Sequence, residues 1–371
     1  MKNPKFTLRK LFEQISPILI NQPSSTSITI GLSKRFLIFQ MLEKLTRRIE
    51  DDPHLNFISV LKNYKVLGKI LDGTLYELHR DRNKLYFKNF FIDHDLYETV
   101  KKDLEWVYHK CEKSKELHEK IKEIKLTVTK RGVIVYDNYQ KNQFNVLLMT
   151  IHSGTWMRKD VQEKQSISRQ KRLLEEDIDT HKIYSNLVLE KGGIWIDNKA
   201  SRFACDYNRS PSRAIYANKS EKWINKIWKE ELTEQQRRWL MEGYHEFYFT
   251  LSRLIDTYRF NIIFDGHTMK NKKGRPEISF GTKYIPNFYM PIVRSMQRKL
   301  HNLYNPVLLN VPYFGGYILE WLSNQFPDVF IFSMEVNKKL YMSRNRRKVI
   351  LKKLKDVSKN ITNIFDIGDE I

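Results

Sequence analysis

The chain has 371 residues, 41% hydrophobic and 13% aromatic, which supports a folded protein with a sizeable core and excludes disorder. Its two cysteines, Cys111 and Cys205, exclude a disulfide framework and a cysteine-rich zinc site, and they point to a reducing cytoplasm. A net charge of +22 invites nucleic-acid binding, but the excess lysine and arginine is spread along the chain and no recognised nucleic-acid motif concentrates it.

The densest basic cluster runs from Arg344, Arg346, Arg347 and Lys348 to Lys352, Lys353 and Lys355. It reads as the solvated face of a helix rather than as a nucleic-acid contact. No apolar run approaches the roughly 20 residues of a membrane span. The basic opening is not followed by an apolar core and a cleavage site. A soluble, cytoplasmic protein is the expectation.

Residues 1–130 read as an α+β accessory region without evident chemistry. An amphipathic opening at 8–20 leads through a Ser/Thr-rich link to an apolar helix over 36–49. Strand-like pieces at 69–78 and 84–91 suit a hairpin. A long charged helix follows over 96–125, with Leu104, Val107, Tyr108, Cys111 and Leu117 near helical spacing.

From residue 131 to 371 strands and helices alternate. Strands are expected at 132–136, 146–151, 193–197, 202–206, 262–264, 307–311 and 329–334. Helices are expected over most of 166–192 and at 233–258, 291–304 and 316–324, with a basic helix at the end. That alternation predicts an α/β domain with a mixed, mostly parallel sheet and helices on both faces.

Two strands end on histidines. Phe144-Asn-Val-Leu-Leu-Met-Thr-Ile-His152-Ser153-Gly154 is an apolar run that stops at His152, and 260–264 delivers His267 after an Asp265-Gly266 turn. Ligands of open α/β sheets gather outside the carboxyl ends of strands, so both histidines suit a metal or catalytic site. Hydrogen-bonded structural histidines are the plainer alternative. Asn208 and Arg209 sit on a turn before Ser210-Pro211 and can clamp a carboxylate, the guanidinium supplying two parallel hydrogen bonds. Gly315-Gly316 either lets backbone approach a ligand or makes a sharp turn into a helix. Cys205 reads as buried and inert, and Ser153 has no evident triad partners.

The ordered set of His152-Ser153-Gly154, Glu175-Glu176-Asp177 before Ile183-Tyr184, Asp206-Tyr207-Asn208-Arg209, Tyr244-His245, Asp265-Gly266-His267, Arg275 to Gly281, Asn310 to Tyr317 and Ser333-Met334-Glu335 resembles the N-formylglutamate amidohydrolase family over residues 131–345. The resemblance implies a zinc exopeptidase-like fold and zinc held by His152, His267 and an acid. Asp177 aligns best as that acid, with Glu175 and Glu176 as competitors. It implies Glu335 as general base for an attacking water, and Asn208 with Arg209 as the anchor of a substrate carboxylate. Arg202 would polarise the carbonyl or hold a further acid of the substrate. His245 and Gly316 join the substrate-binding set, although a core histidine is the alternative for His245. An ion pair with Lys338 or Lys339 is the alternative for Glu335.

Two departures from the family stand out, Ile151 in place of a proline before His152 and Ser210 in place of an acid after Arg209; in addition, Thr155 stands where many zinc exopeptidases place a glutamate. The implied activity is a metal-dependent amidohydrolase acting on an N-acyl amino acid, the N-formyl ones included, or on another small carboxylate-bearing substrate. A carboxypeptidase-like exopeptidase would use the same site, and a nucleic-acid-binding protein on a vestigial hydrolase fold is the rival from another class.

Overall fold

A computed structural model describes residues 75–77, 94–112, 124–129, 131–217, 227–343 and 348–366. The chain divides at Asp52/Pro53, and every described residue belongs to the unit Pro53–Ile371. The expected elements at 8–20, 36–49 and 84–91 lie outside the described residues, as do the 113–123 stretch of the long helix and Arg344–Arg347 of the basic cluster.

Among the described residues, nine strands form one sheet. They are β1 (Leu75–Glu77), β2 (Lys125–Thr129), β3 (Val133–Asn138), β4 (Val146–Thr150), β5 (Gly193–Asn198), β6 (Ile262–Met269), β7 (Ile278–Gly281), β8 (Val307–Leu309) and β9 (Phe330–Asn337). Their order is β1-β2-β3-β5-β4-β6-β9-β7-β8. The sheet is mixed, as expected. Its centre, β5-β4-β6-β9, is parallel, and β7 pairs parallel with β8. Antiparallel pairings join β1, β2 and β3 to one side and β7 to the other. Residues 75–77 and 125–129, grouped by the sequence with the N-terminal region, thus extend the same sheet.

Alternation along the central strands builds a core on each face. Val146 and Leu148 of β4, Trp195 of β5, Phe264 of β6 and Phe332 of β9 face one core. Leu147, Met149, Ile194, Ile263 and Ile331 face the other. Every residue of β4 is buried, the pattern of a parallel strand covered on both sides.

Helices cover both faces. On the first lie α1 (His94–Glu112), α4 (Thr180–Lys191), α6 (Met290–His301) and α8 (Leu351–Asn363). Leu96, Val100, Leu104 and Val107 form the buried stripe of α1 at three- and four-residue spacing. On the second face lie α5 (Glu234–Thr257) and α7 (Tyr317–Gln325). A capping box starts α5, with the Thr233 hydroxyl accepting from the Gln236 N–H and the Gln236 side chain returning the bond to Thr233 N–H. The short helices α2 (Lys159–Gln162) and α3 (Arg169–Glu175) lie between β4 and α4.

Several expected elements differ. The helix expected over 166–192 breaks at Glu176–Asp179, where Asp179 adopts φ 65° and the Thr180 hydroxyl donates to the Asp177 carbonyl. Residues 202–206 form a turn rather than a strand, because the Ser201 carbonyl accepts from Ala204 and Cys205 N–H and the Ser201 hydroxyl accepts from Phe203 N–H. Strands β6 and β9 run on past Phe264 and Met334, so His267 and Glu335 stand inside strands and Asp265-Gly266 is not a turn. Strands β2 and β7 have no counterpart in the sequence reading.

Candidate metal centre

The carboxyl ends of β4 and β6 lie side by side, with Leu148 opposite Phe264 and Met149 opposite Asp265. His152 occupies the turn just after β4, and His267 projects from β6. Asp177 comes from the break between α3 and α4. The three side chains are buried, and one ligand atom from each lies within 4.8 Å of the others. Asp177 Oδ2 is 3.1 Å from His267 Nδ1 and 3.4 Å from His152 Nδ1, and the two ring centroids are 4.9 Å apart.

Both imidazoles turn Nδ1 inward, because carboxylates take their other nitrogens. His152 Nε2 donates to Asp206 Oδ1 at 2.6 Å, and His267 Nε2 donates to Asp265 Oδ2 at 2.7 Å. Asp206 and Asp265 are fully buried. Such carboxylate–histidine pairs fix the tautomer and raise the basicity of a metal-binding nitrogen. His152 Nδ1 is a buried polar atom with no hydrogen-bond partner. Two imidazole nitrogens and a carboxylate around one point are a donor set that suits zinc, with a position left for water.

Burial opposes charge on all these groups, and the charges beside them decide the outcome. Burial disfavours ionised Asp177, but the neighbouring imidazoles of His152 and His267 outweigh it and hold Asp177 well below the usual carboxylate range. Burial also disfavours charged His267, yet Asp265 and Asp177 lift it well above the ordinary histidine value. Arg202 and His152 likewise outweigh burial and hold Asp206 far down.

The acidic trio separates in space. Glu175 pairs with Lys270 at 2.5 Å. Glu176 is buried against Arg172 at 3.6 Å and accepts from the Ser201 hydroxyl, and burial pushes it up to about 7. Asp177 alone of the three meets the histidines.

Glu335 is the direct cross-strand partner of His267. Its Oε2 is buried without a hydrogen-bond partner. Lys338 donates instead to the Glu176 carbonyl, and Lys339 pairs with Glu277 at 3.1 Å. Burial pushes Glu335 up to about 8, against the pull of His267.

Arg202 and Arg209 converge on Asp206, at 2.9 and 3.6 Å from its Oδ2. Asp206 also accepts from the Tyr216 hydroxyl, and Arg209 stacks over the Tyr216 ring at 4.7 Å. Asn208 Oδ1 accepts from Ile318 N–H at 3.1 Å, in the first turn of α7. Gly316 lies so close to Asn208 that an added methyl would overlap its side chain, while Gly315, at φ 124°, makes the turn. His245 lies on α5, edge-on to Tyr244, and burial lowers it to about 4. Cys205 is a free, buried thiol that burial pushes up.

The sequence reading gave no role to Asp206 or Asp265, although both stand in the motifs it used. Asp265 is two residues from His267, and on a strand that spacing puts both on one face. Tyr216 and Tyr313 carried no signal of their own. Among the described residues, no helix is long and apolar enough to cross a membrane. Lys352, Lys353 and Lys355 are exposed on α8.

The chain resembles several solved structures. An N-formylglutamate amidohydrolase from Ralstonia eutropha shares 16% identity and a TM-score of 0.53, over 64% of this chain and 98% of that one. A gene product from Agrobacterium tumefaciens gives 15%, 0.48, 64% and 94% for the same quantities. A metallo-carboxypeptidase from Burkholderia cenocepacia gives 7%, 0.33, 65% and 61%. Comparison with the curated proteins produced no match. The family model for N-formylglutamate amidohydrolase matches residues 144–342, which span β4 through β9 and every residue of the centre, and the chain belongs to that family.

Proposed function

We propose that this protein is a zinc-dependent amidohydrolase that cleaves the amide of an N-acyl amino acid or a similar small carboxylate-bearing substrate. The observation that carries the reading is the trio His152, Asp177 and His267, with both imidazoles locked from behind by buried carboxylates. Zinc held there would supply Lewis acidity for the scissile carbonyl and make water nucleophilic near neutral pH.

The chain's own residues do the rest. Glu335 takes a proton from the attacking water and returns it to the amide nitrogen as the C–N bond breaks, releasing acid and amine. Its burial keeps the carboxyl ready to hold that proton. Arg202, braced by Asp206, stabilises negative charge developing on the carbonyl oxygen. Asn208 and Arg209 hold the substrate carboxylate, with Gly316 packed against Asn208 at that end of the site. Asp206 ties the two halves together, since it steadies His152 and both arginines at once.

Metal analysis with a panel of N-acyl amino acids and dipeptides tests the reading. The wild type should carry about one zinc per chain and His152→Ala none. Glu335→Gln should retain zinc and fold but lose at least about 100-fold in kcat. Wild-type protein without zinc, or an active Glu335→Gln variant, would overturn it. Faster cleavage of dipeptides than of N-acyl amino acids would move the assignment to an exopeptidase.

A further inference from the structure

The two carboxylates behind the histidines are built differently. Asp265 gives Oδ2 to His267, and its buried Oδ1 has no hydrogen-bond partner among the described residues. Asp206 uses both oxygens. Its Oδ1 accepts from His152 Nε2 at 2.6 Å and from Asn208 N–H at 2.9 Å. Its Oδ2 accepts from Arg202 Nη2 at 2.9 Å and from the Tyr216 hydroxyl. That phenol is the one member of the cluster to which the proposed reaction gives no part.

Tyr216 meets the two arginines through different parts of one side chain. Its hydroxyl accepts from Arg202 Nε at 3.2 Å, while the Arg209 guanidinium lies over its ring, 4.7 Å from the ring centre. Two guanidiniums around one carboxylate repel each other, and the shared anion alone does not decide which sits where. The phenol decides it, with a hydrogen-bond acceptor for one cation and the negative face of a ring for the other. Tyr216 is itself firmly placed. It is 3% exposed, its ring meets Phe203 edge-on at 6.1 Å, and its carbonyl accepts from the Trp228 indole N–H at 2.8 Å. Two residues before it, the Ala214 carbonyl accepts from Asp206 N–H at 2.7 Å, so phenol and carboxylate ride on joined backbone. Burial pushes the phenol up, so the hydroxyl keeps the proton that it donates to Asp206.

We infer that Tyr216 is a positioning residue for both arginines: its hydroxyl holds Arg202 and its ring holds Arg209, which keeps the two cations in separate places around Asp206. The inference rests on the proposed reaction only for what the arginines do there, Arg202 at the carbonyl oxygen and Arg209 at the substrate carboxylate.

The test compares Tyr216→Phe, which removes the hydroxyl and keeps the ring, with Tyr216→Leu, which removes both, in the full-length protein. Arginine Nε–H resonances, assigned with Arg202→Lys and Arg209→Lys, read the placement directly. Tyr216→Phe should shift the Arg202 resonance, speed its exchange with water at least about fivefold and leave Arg209 unmoved, whereas Tyr216→Leu should shift both. In turnover of N-acyl amino acids, Tyr216→Phe should lower kcat about tenfold with KM within about twofold of wild type. Tyr216→Leu should in addition raise KM about fivefold, and both variants should keep their zinc. An Arg202 resonance unchanged in Tyr216→Phe, or an Arg209 resonance unchanged in Tyr216→Leu, would overturn the inference. So would equal effects of the two substitutions on kcat and KM, the mark of a general loss of structure. The expected resonance shifts in a protein that hydrolyses no amide would sustain the positioning role while the amidohydrolase reading falls.

Discussion

His267 of β6 and Glu335 of β9 are direct partners across parallel strands, so their side chains leave the sheet side by side on one face. Neighbouring strands lie roughly 4.8 Å apart, which puts a carboxyl next to an imidazole by backbone geometry alone. His152 reaches the same point from the turn after the adjacent strand β4, and Asp177 from the break between α3 and α4. The Tyr184 hydroxyl reinforces the arrangement by donating to the carbonyls of both His267 and Met334, clamping β6 to β9 beside the pair. One of the three proposed ligands and the proposed base are therefore set by paired strands of the central sheet.

Glu335 should make the metal-free protein sensitive to pH. Burial pushes its carboxyl up to about 8, whereas an unfolded glutamate titrates near about 4.3. Between those values the folded state holds a proton that the unfolded state has lost, so this group's contribution to stability falls as pH rises. Glu335→Gln removes that loss. Urea denaturation in the presence of chelator at pH 5, 7 and 9 should show the variant gaining on wild type with rising pH. The gain should level off above about pH 8. A difference independent of pH would refute the assignment.

The carboxylates behind the histidines should govern metal affinity without touching the metal. Asp206→Asn and Asp265→Asn keep the shape of the side chain but weaken its pull on His152 Nε2 and His267 Nε2. Each should cost about 10- to 100-fold in zinc affinity, measured by competition with a chromophoric chelator. Zinc binding should also release a proton, since His267 is held charged by Asp265 and Asp177 in the metal-free protein. Affinity should therefore climb with pH over the range in which His267 titrates. Unchanged affinity in both variants would remove the carboxylates from the site.

Much of this architecture was legible in the sequence, and the misreadings share a cause. The buried strands announced themselves as apolar runs, and the helix expected over 233–258 matches α5 to within a residue at each end. The two strands that matter most were cut short, at Phe264 and Met334, because Asp265-Gly266-His267 and Glu335 look like loop residues. They remain in the sheet because each polar side chain meets another: Asp265 takes His267 Nε2, and Glu335 stands beside His267. A polar run at a strand end thus marks the site itself. Strand β2 was hidden for another reason. Its Lys125-Leu126-Thr127-Val128-Thr129 alternates as an edge-region strand should, but it follows a charged stretch that invites a continuous helix. Asp177 aligned best in the sequence with Glu175 and Glu176 as competitors, and in three dimensions Lys270 and Arg172 claim those two neighbours.

Gly154 should prove as necessary as the histidine two residues before it. The turn after β4 lies directly against the backbone of Lys199, and an added methyl at Gly154 would overlap the Lys199 carbonyl. That same turn is tied by Trp156 N–H donating to the Lys199 carbonyl at 3.0 Å. Gly154→Ala must push the turn outward and carry His152 with it. The expected cost is about 1–3 kcal/mol in chemical denaturation, together with weakened zinc binding. Wild-type stability with wild-type zinc affinity would show that the turn has room.

Lys199 should prove to be the keystone of the support beneath His152. Its ammonium is buried between Asp197 at 2.5 Å and Asp103 of α1 at 2.6 Å. Asp197 in turn accepts from the hydroxyls of Thr150 at 2.7 Å and of Ser153, the residues on either side of Ile151 and His152. Burial disfavours the charged lysine, but the two carboxylates outweigh it and raise its affinity for the proton. Lys199→Met would leave two like charges facing each other in the core. Breaking a buried pair in this way costs about 3–5 kcal/mol. Adding Asp103→Asn to Lys199→Met removes one of those charges and should recover part of the loss, a non-additivity that a double-mutant cycle reads directly. Strict additivity would mean that Lys199 and Asp103 do not act as a unit, and that α1 lends the turn carrying His152 no support.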